Sequence, residues 1–357
     1  MAVAAELEEQ IVVGGVDTHK DTHVAAALDR LGRLLGTAEF PTTPAGYRAL
    51  LTWLARFGTV ERVGVEGTGA WGAGLARFLR TAGVRVIEVD RPNRQRRRRR
   101  GKSDPADAEA AGRAVLAGDV SGVQKDQDGP VEAMRALRVA QRSAERARTQ
   151  ATNQYRSLLD TAPAHLREQL RGLSLRQMVD RASRFRPGKV LSDPTAATKA
   201  ALRSLARRWL ALAAEIEALE RQLAALVQVA APPALLAEFG VGPDVAGALL
   251  VAAGDNPDRL RTEAAFAALC GASPLDASSG RQRRHRLNRG GNREANSALW
   301  RIVMVRLRWD HAEARAYVDR RVAEGKTRRE AIRCLKRFLA RRIWRLLTQS
   351  TRPQAGT

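Results

Sequence analysis

The chain contains 357 residues, of which 44% are hydrophobic and only 4% aromatic, and this length suggests two or three domains with mainly aliphatic cores. Its 61 lysines and arginines exceed its 38 aspartates and glutamates, and the net charge of +23 favours an anionic partner, above all nucleic acid. The sequence has no long apolar run and no lipidation motif, so a membrane surface is the weaker alternative as a partner. Its two cysteines exclude a disulfide framework beyond one bond.

Residues 11–120 predict an α/β domain with a mixed sheet, because strands and helices alternate along them. Ile11–Asp17 is an apolar run rich in valine and glycine, and with the next two strands it predicts an antiparallel meander. In chain order, the later elements are strands at 23–29 and 33–40, a helix from Thr43 or Pro44 to Phe57, a strand at 62–66, a helix at 70–82, a strand at 84–89 and a helix at 104–116.

Four acidic residues lie at the ends of these elements. Asp17 ends the first strand, Glu66 ends the fourth, and Asp104 and Asp107 share one face at the start of the third helix. If the first and fourth strands are neighbours, the four carboxylates converge, and their repulsion requires cations. Oxygen ligands favour Mg²⁺ or Mn²⁺, and two such ions about 3.5–4 Å apart stabilise the entering and leaving oxygens of a phosphodiester displacement. Taken singly, each acid has an ordinary structural interpretation, such as Asp104 as a helix N-cap.

Two histidines near the first acid, His19 and His23, raise the question of a histidine metal pair. They are four residues apart in a turn and a strand, where that spacing does not place two side chains on one face as it does in a helix. The sequence therefore does not favour a histidine metal site.

A block of positive charge separates the last predicted strand of this domain from its last helix. Such a block is often a solvated or disordered run, but its position beside Asp104 and Asp107 favours a loop that grips phosphates. The cationic residues in it are Arg94, Arg96, Arg97, Arg98, Arg99, Arg100 and Lys102.

Residues 131–230 predict a helical region, interrupted at Pro163 and between Pro187 and Pro194. Its last helix carries an apolar seam with alternating spacings of three and four, which is typical of a coiled coil. The seam either packs on the helix at 131–159 within the chain or mediates self-association, and we favour self-association. The seam residues are Leu202, Leu205, Trp209, Leu212, Ile216, Leu219, Leu223 and Leu226.

Residues 234–348 predict a third, basic and mainly helical domain, which begins after Pro232-Pro233. Its Gly240-Val241-Gly242 turn exposes backbone N–H groups and is typical of a phosphate-binding helix-hairpin-helix, although an ordinary interhelical turn is the alternative. We expect Trp300, Trp309 and Trp344 to lie in the core. A second basic cluster follows a Ser278-Ser279-Gly280 segment and contains Arg281, Arg283, Arg284, Arg286 and Arg289.

These motifs resemble those of the DEDD transposases of the insertion-sequence one-ten family. Residues 15–23, 65–69 and 102–108 are similar to the family's three acidic motifs, in the family's order and approximate spacing. The segments that are similar to its C-terminal motifs are 239–246, 270–274, 278–280 and 288–292. The resemblance implies an RNase-H-like (RuvC-like) domain at 11–120, a helical coiled-coil region at 131–230 and a C-terminal transposase domain at 234–348.

The resemblance also implies an activity and partners. The chain would be a DNA recombinase that excises and integrates an insertion sequence, with Asp17, Glu66, Asp104 and Asp107 as ligands of divalent ions. Ser279 would attack a DNA phosphate, although the adjacent Ser278 stays open as the nucleophile. The implied partners are donor and target DNA, a guiding bridge RNA and further copies of the chain in a dimer or tetramer. Because the acidic segment 1–10 does not resemble a secretory signal, we expect a cytoplasmic, nucleoid-associated protein.

Two other functions use the same features differently. A nuclease of the Holliday-junction-resolvase kind would use the four acids with water as the nucleophile. A non-catalytic nucleic-acid scaffold would need the basic surfaces but none of the acids.

Overall fold

The computed structural model describes residues 10–89, 103–118, 122–188, 190, 192–278, 280, 285–309 and 311–349. The chain divides into two compact units. Unit 1 comprises residues 1–127 and 258–261, and unit 2 comprises residues 128–257 and 262–357. The division into three domains at 11–120, 131–230 and 234–348 stays a prediction.

Unit 1 contains a six-stranded mixed sheet with the strand order β3-β2-β1-β4-β5-β6. The predicted meander is confirmed, because β1 pairs with β2 and β2 with β3 in antiparallel fashion. The first and fourth strands are also neighbours, since β4 pairs with β1 and β5 in parallel. The short β6 lies outside the predicted elements and pairs antiparallel with β5. The strands are β1 (Ile11–Thr18), β2 (Thr22–Leu28), β3 (Leu34–Pro41), β4 (Thr59–Glu66), β5 (Arg85–Val89) and β6 (Gly122–Val123).

Among the described residues of unit 1, three helices cover this sheet. Helices α1 (Pro44–Ala55) and α2 (Ala73–Thr81) bury their apolar residues against a cluster that includes Val16 and Val65. Helix α3 (Asp104–Ala117) packs into a separate cluster with residues of β1 and β5. The predicted order of strands and helices is therefore confirmed in the described residues from 11 to 117.

Two glycines let α3 approach the sheet closely. A Cβ atom at Gly15 of β1 would lie 2.1 Å from the carbonyl oxygen of Ala108, and one at Gly64 of β4 would lie 2.9 Å from that of Ala111. Because side chains alternate along a strand, residues two positions after these glycines face the same side of the sheet. Those residues are Asp17 and Glu66, so both belong to the face that α3 covers.

Unit 2 begins with four helices, α4 (Pro130–Asp160), α5 (Ala164–Leu170), α6 (Leu175–Ala182) and α7 (Pro194–Ala230). The predicted interruptions are present, and a further break follows α5. Helix α7 packs along α4, and the indole N–H of Trp209 on α7 donates a hydrogen bond of 2.9 Å to the hydroxyl of Thr152 on α4. In the seam Leu202, Ile216 and Leu223 are buried, whereas the other five residues are half-buried. The intramolecular alternative for the seam is therefore observed, and self-association through it stays a prediction.

The remainder of unit 2 is mainly helical, as predicted. It contains α8 (Pro233–Leu236), α9 (Pro243–Ala253), α10 (Glu263–Leu269), α11 (Arg293–Arg308), α12 (Ala312–Ala323) and α13 (Arg328–Gln349), with a small hairpin of β7 (Leu275–Asp276) and β8 (His285–Arg286) that was not predicted. The expectation that Trp300 and Trp309 are core residues is wrong, because their exposed fractions are 48% and 68%. No helix in the described parts of the chain has both the length and the apolar character needed to cross a membrane.

A buried arginine connects three helices of unit 2. The side chain of Arg138 on α4 is 3% exposed, and its Nη1 lies 2.7 Å from Oδ1 of Asp244 on α9. Its Nη2 lies 3.3 Å from Oε2 of Glu294 on α11. Because a guanidinium can serve two carboxylates at once, this one side chain fixes α9 and α11 on α4.

Candidate metal centre and nucleic-acid surface

Asp17 is the buried acid of the candidate metal centre. It lies near the end of β1, and its side chain is 9% exposed. Burial raises the pKa of the Asp17 carboxyl, and the charges of Asp107 and Asp104 raise this pKa further, while His19 lowers it. A carboxylate in this position is unfavourable without a nearby positive charge.

Asp104 and Asp107 reach Asp17 from the first turn of α3. Ser103 is the N-cap residue of α3, and its carbonyl accepts a hydrogen bond of 3.0 Å from the backbone N–H of Asp107. Asp104 therefore lies inside the helix and is not its N-cap. Asp107 is buried and the side chain of Asp104 is 45% exposed, which places one acid beneath the other at the positive end of the helix dipole.

Glu66 ends β4 directly beside the end of β1. Val16 and Val65 are paired in the parallel ladder, and the hydroxyl of Thr18 donates a hydrogen bond of 2.8 Å to the backbone carbonyl of Glu66. The backbone thus brings Glu66 next to Asp17, on the face that α3 covers. Among the described residues, Asp17, His19 and Asp104 form a group of possible metal ligands. One potential ligand atom from each lies within 4.8 Å of the other two. Glu66 and Asp107 lie outside this group.

His19 is the member of this group that the sequence did not favour. Its Nε2 lies 3.2 Å from Oδ2 of Asp17 and 3.4 Å from Oδ2 of Asp104. His23 is fully buried, and its ring stacks on the ring of Tyr47 with 5.8 Å between the two centroids. Asp17 and His19 are two residues apart in the sequence, and in an extended chain this spacing places both side chains on the same side. That spacing is the sequence signal for their proximity.

Four predicted phosphate-binding residues of unit 2 lie among the described residues: Gly240 and Gly242 before α9, Arg286 in β8 and Arg289 after β8. Gly240 has a φ of +89°, which favours glycine, and Gly242 is the N-cap residue of α9. Arg286 and Arg289 are exposed. Ser278 donates its backbone N–H to Oδ1 of Asp276 at 2.9 Å. The predicted site residues Arg94, Arg96, Arg97, Arg98, Arg99, Arg100, Lys102, Ser279, Arg281, Arg283 and Arg284 lie outside the described residues.

Two family models match the chain in the two regions that contain these residues. The model of DEDD transposases of IS110, the insertion-sequence one-ten family, matches residues 14–163. A model described as "Transposase IS116/IS110/IS902 family" matches residues 234–319. The chain belongs to the IS110 family of DEDD transposases. A comparison with curated proteins found no match.

Membership of the family places the transposase among enzymes that cleave DNA and transfer its strands, with DNA as the substrate. The mixed sheet and helices of unit 1 are consistent with an RNase-H-like fold. The family also implies the use of divalent metal ions. The donor set of the transposase fits such an ion, because it offers carboxylate oxygens and one imidazole nitrogen within a small volume.

Proposed function

We propose that this transposase is a site-specific recombinase that excises an insertion sequence and integrates it at a target. Asp17, Glu66, Asp104 and Asp107 hold the divalent ions, and Ser279 is the nucleophile. The observation that supports this proposal is the meeting of the ends of β1 and β4 with the first turn of α3, where Asp17 is close enough to Asp104 and Asp107 for their charges to raise its pKa.

The acids have a defined part in this proposal. A pair of divalent cations supplies electrostatic stabilisation of the entering and leaving oxygens during displacement at phosphorus. The buried Asp17 and Asp107 fix the position of the donor set on β1 and α3, while Asp104 is more exposed and is accessible from solvent. Their combined negative charge also makes the site selective for cations over the phosphate itself.

Ser279 carries the covalent step. Its hydroxyl oxygen forms a bond to the phosphorus of the scissile phosphodiester, and the bond between phosphorus and the leaving deoxyribose oxygen breaks. The hydroxyl proton leaves the serine, and a proton is taken up by the departing oxygen. The resulting phosphoserine ester conserves the energy of the phosphodiester, so a second DNA end can reverse the reaction and complete strand exchange.

The basic residues bind the nucleic acids. Arg286 and Arg289 are exposed on or close to β8, where they can contact phosphates near the scissile bond. Gly240 and Gly242 offer backbone N–H groups for a phosphate contact without base recognition. The remaining proposed contacts are Arg94, Arg96, Arg97, Arg98, Arg99, Arg100, Lys102, Arg281, Arg283 and Arg284.

A bridge RNA that specifies both DNA partners completes the proposed function. The net charge of +23 suits RNA as well as DNA. Exchange of several strands needs several copies of the active site, so the proposal includes a dimer or tetramer, to which the half-buried seam residues of α7 would contribute.

Strand exchange in a defined mixture tests the proposal. The full chain is incubated with Mg²⁺, both DNA ends and the RNA transcribed beside its gene, and covalent protein–DNA adducts are measured by denaturing gel. We expect an adduct with the wild type and with Ser278→Ala, and none with Ser279→Ala. Strand exchange without RNA would overturn guidance by RNA.

The same assay separates the two alternatives. An endonuclease that uses water would cleave DNA without an adduct, and Ser279→Ala would leave its cleavage unchanged. A non-catalytic scaffold would bind DNA without cleaving it in this mixture, and neither Asp17→Asn nor Glu66→Gln would change that result. We expect each of these two substitutions to lower the rate by at least about a hundredfold, since each removes a charged metal ligand.

A further inference from the structure

We propose that His19 is a direct metal ligand of the transposase and makes the centre prefer Mn²⁺ to Mg²⁺. This inference rests on the proposed metal centre and adds a nitrogen donor to the four acids. It concerns one atom, Nε2 of His19, which lies between the carboxylates of Asp17 and Asp104.

The distances around His19 suit a shared ion. In an octahedral complex with bonds of about 2.1 Å, neighbouring ligand atoms are about 3.0 Å apart. The Nε2 atom of His19 lies 3.2 Å from Oδ2 of Asp17 and 3.4 Å from Oδ2 of Asp104. Small shifts would therefore place all three atoms around one cation. A hydrogen bond from the imidazole to a carboxylate has a similar length, so the experiment must detect the metal–nitrogen bond itself.

The backbone of His19 is held by a tight turn between β1 and β2. Its N–H donates a hydrogen bond of 3.0 Å to the carbonyl of Thr22. Its carbonyl accepts one of 3.4 Å from the hydroxyl of Thr42. The ring lies 6.5 Å from the ring of Trp71, measured between centroids. A ligand whose backbone is fixed in this way loses little conformational freedom when it binds a cation.

A nitrogen donor changes which metal is bound best. Imidazole is a good ligand for transition metals, whereas Mg²⁺ prefers oxygen donors and keeps several of its waters. A centre with carboxylates alone would bind both ions through the same kind of atom. Adding His19 strengthens the binding of Mn²⁺ more than that of Mg²⁺, so the ratio of the two dissociation constants reports on His19.

The experiment uses Mn²⁺ as the probe and the full chain without DNA. Pulsed electron paramagnetic resonance measures the hyperfine coupling of ¹⁴N to bound Mn²⁺, and chain in which histidine alone is labelled with ¹⁵N identifies that nitrogen as a histidine's. We expect the coupling in the wild type and its loss in His19→Asn. His165→Asn is the matched control, because His165 is an exposed histidine of unit 2, and it should keep the coupling.

Titrations with the two metals complete the test. We expect His19→Asn to weaken Mn²⁺ binding by about tenfold or more and to change Mg²⁺ binding by less than about threefold. Binding of Mn²⁺ that depends on Asp17 but shows no nitrogen coupling would overturn the role of His19 and leave the proposed metal centre intact. If the wild type shows no Mn²⁺ binding that depends on Asp17, the metal centre itself is overturned.

Discussion

Glu238 is a buried carboxylate between two arginines of unit 2. Its side chain is 7% exposed, and Nε of Arg342 lies 2.7 Å from its Oε2, while Arg306 donates a hydrogen bond to its Oε1. Burial acts to raise the pKa of Glu238, but the hydrogen bonds and charges of Arg342 and Arg306 outweigh burial and hold the pKa below its ordinary value. The ionised form therefore stabilises α11 and α13 against the segment before α9.

We expect Glu238→Gln to lower the free energy of unfolding by about 3 kcal/mol at pH 7, because it leaves two arginines without their charge partner. Since the folded pKa is depressed, the contribution of Glu238 is present above the unfolded pKa of about 4.3 and is lost as the pH falls through the folded value. Urea unfolding should show that the free energies of unfolding of the wild type and Glu238→Gln differ at pH 7 and become similar at lower pH. The exposed Glu313 provides the control Glu313→Gln, and an equal loss in both variants would contradict the prediction.

At the scale of elements, the position of α3 on β1 determines where Asp104 and Asp107 lie. We expect Gly15→Ala to destabilise unit 1 by at least about 2 kcal/mol, because the added methyl group would overlap backbone atoms of α3. It should also weaken Mn²⁺ binding, since the first turn of α3 must move. Thermal unfolding and a metal titration measure the two effects.

Gly69→Ala is the matched control for Gly15→Ala, because a Cβ atom at Gly69 meets nothing within 4 Å. Similar stability and metal binding in the two variants would show that α3 does not depend on close contact with β1.

The strands and helices of unit 1 were predictable from sequence, because apolar residues have a different spacing in strands than in helices and because the apolar runs end at glycines or acids. The strands β6, β7 and β8 were not, since two residues carry no periodic signal. The start of α6 does have a sequence signal, the capping box formed by Ser174 and Gln177. The seam of α7 predicted a helical partner but could not identify it, because α4 and a second copy present similar apolar faces.

The candidate metal centre also has one part that could be predicted from the sequence and one part that could not. The meeting of the ends of β1 and β4 with the first turn of α3 could be predicted from the order of strands and helices. The role of Asp17, Glu66, Asp104 and Asp107 as metal ligands stays a prediction. The sequence spacing relates His19 to Asp17, but the proximity of His19 to Asp104 could not be predicted, because it depends on how α3 packs on the sheet.

At the scale of the whole molecule, the net charge of +23 makes binding to DNA strongly dependent on salt. The binding constant K falls as the salt concentration rises, so a plot of log K against log salt concentration has a negative slope. We expect replacement of Arg96–Arg100 by five glutamines to make this slope less steep, by up to about 0.9 for each phosphate that these arginines neutralise. Replacement of the same residues by five lysines retains the charge and should leave the slope nearly unchanged. Equal slopes for all three chains, measured by fluorescence anisotropy, would show that this block does not bind DNA.

Unit 1 contains a segment from far along the chain. Residues 258–261 belong to it, and there the carboxylates of Glu88 and Asp126 act on the charge of Arg259. The polypeptide therefore passes between the units three times, so a protease that cuts one peptide bond cannot release unit 1 with all of its residues. During translation, the ribosome must make most of the chain before unit 1 is complete, and a nascent chain that ends at Gln127 still lacks Arg259.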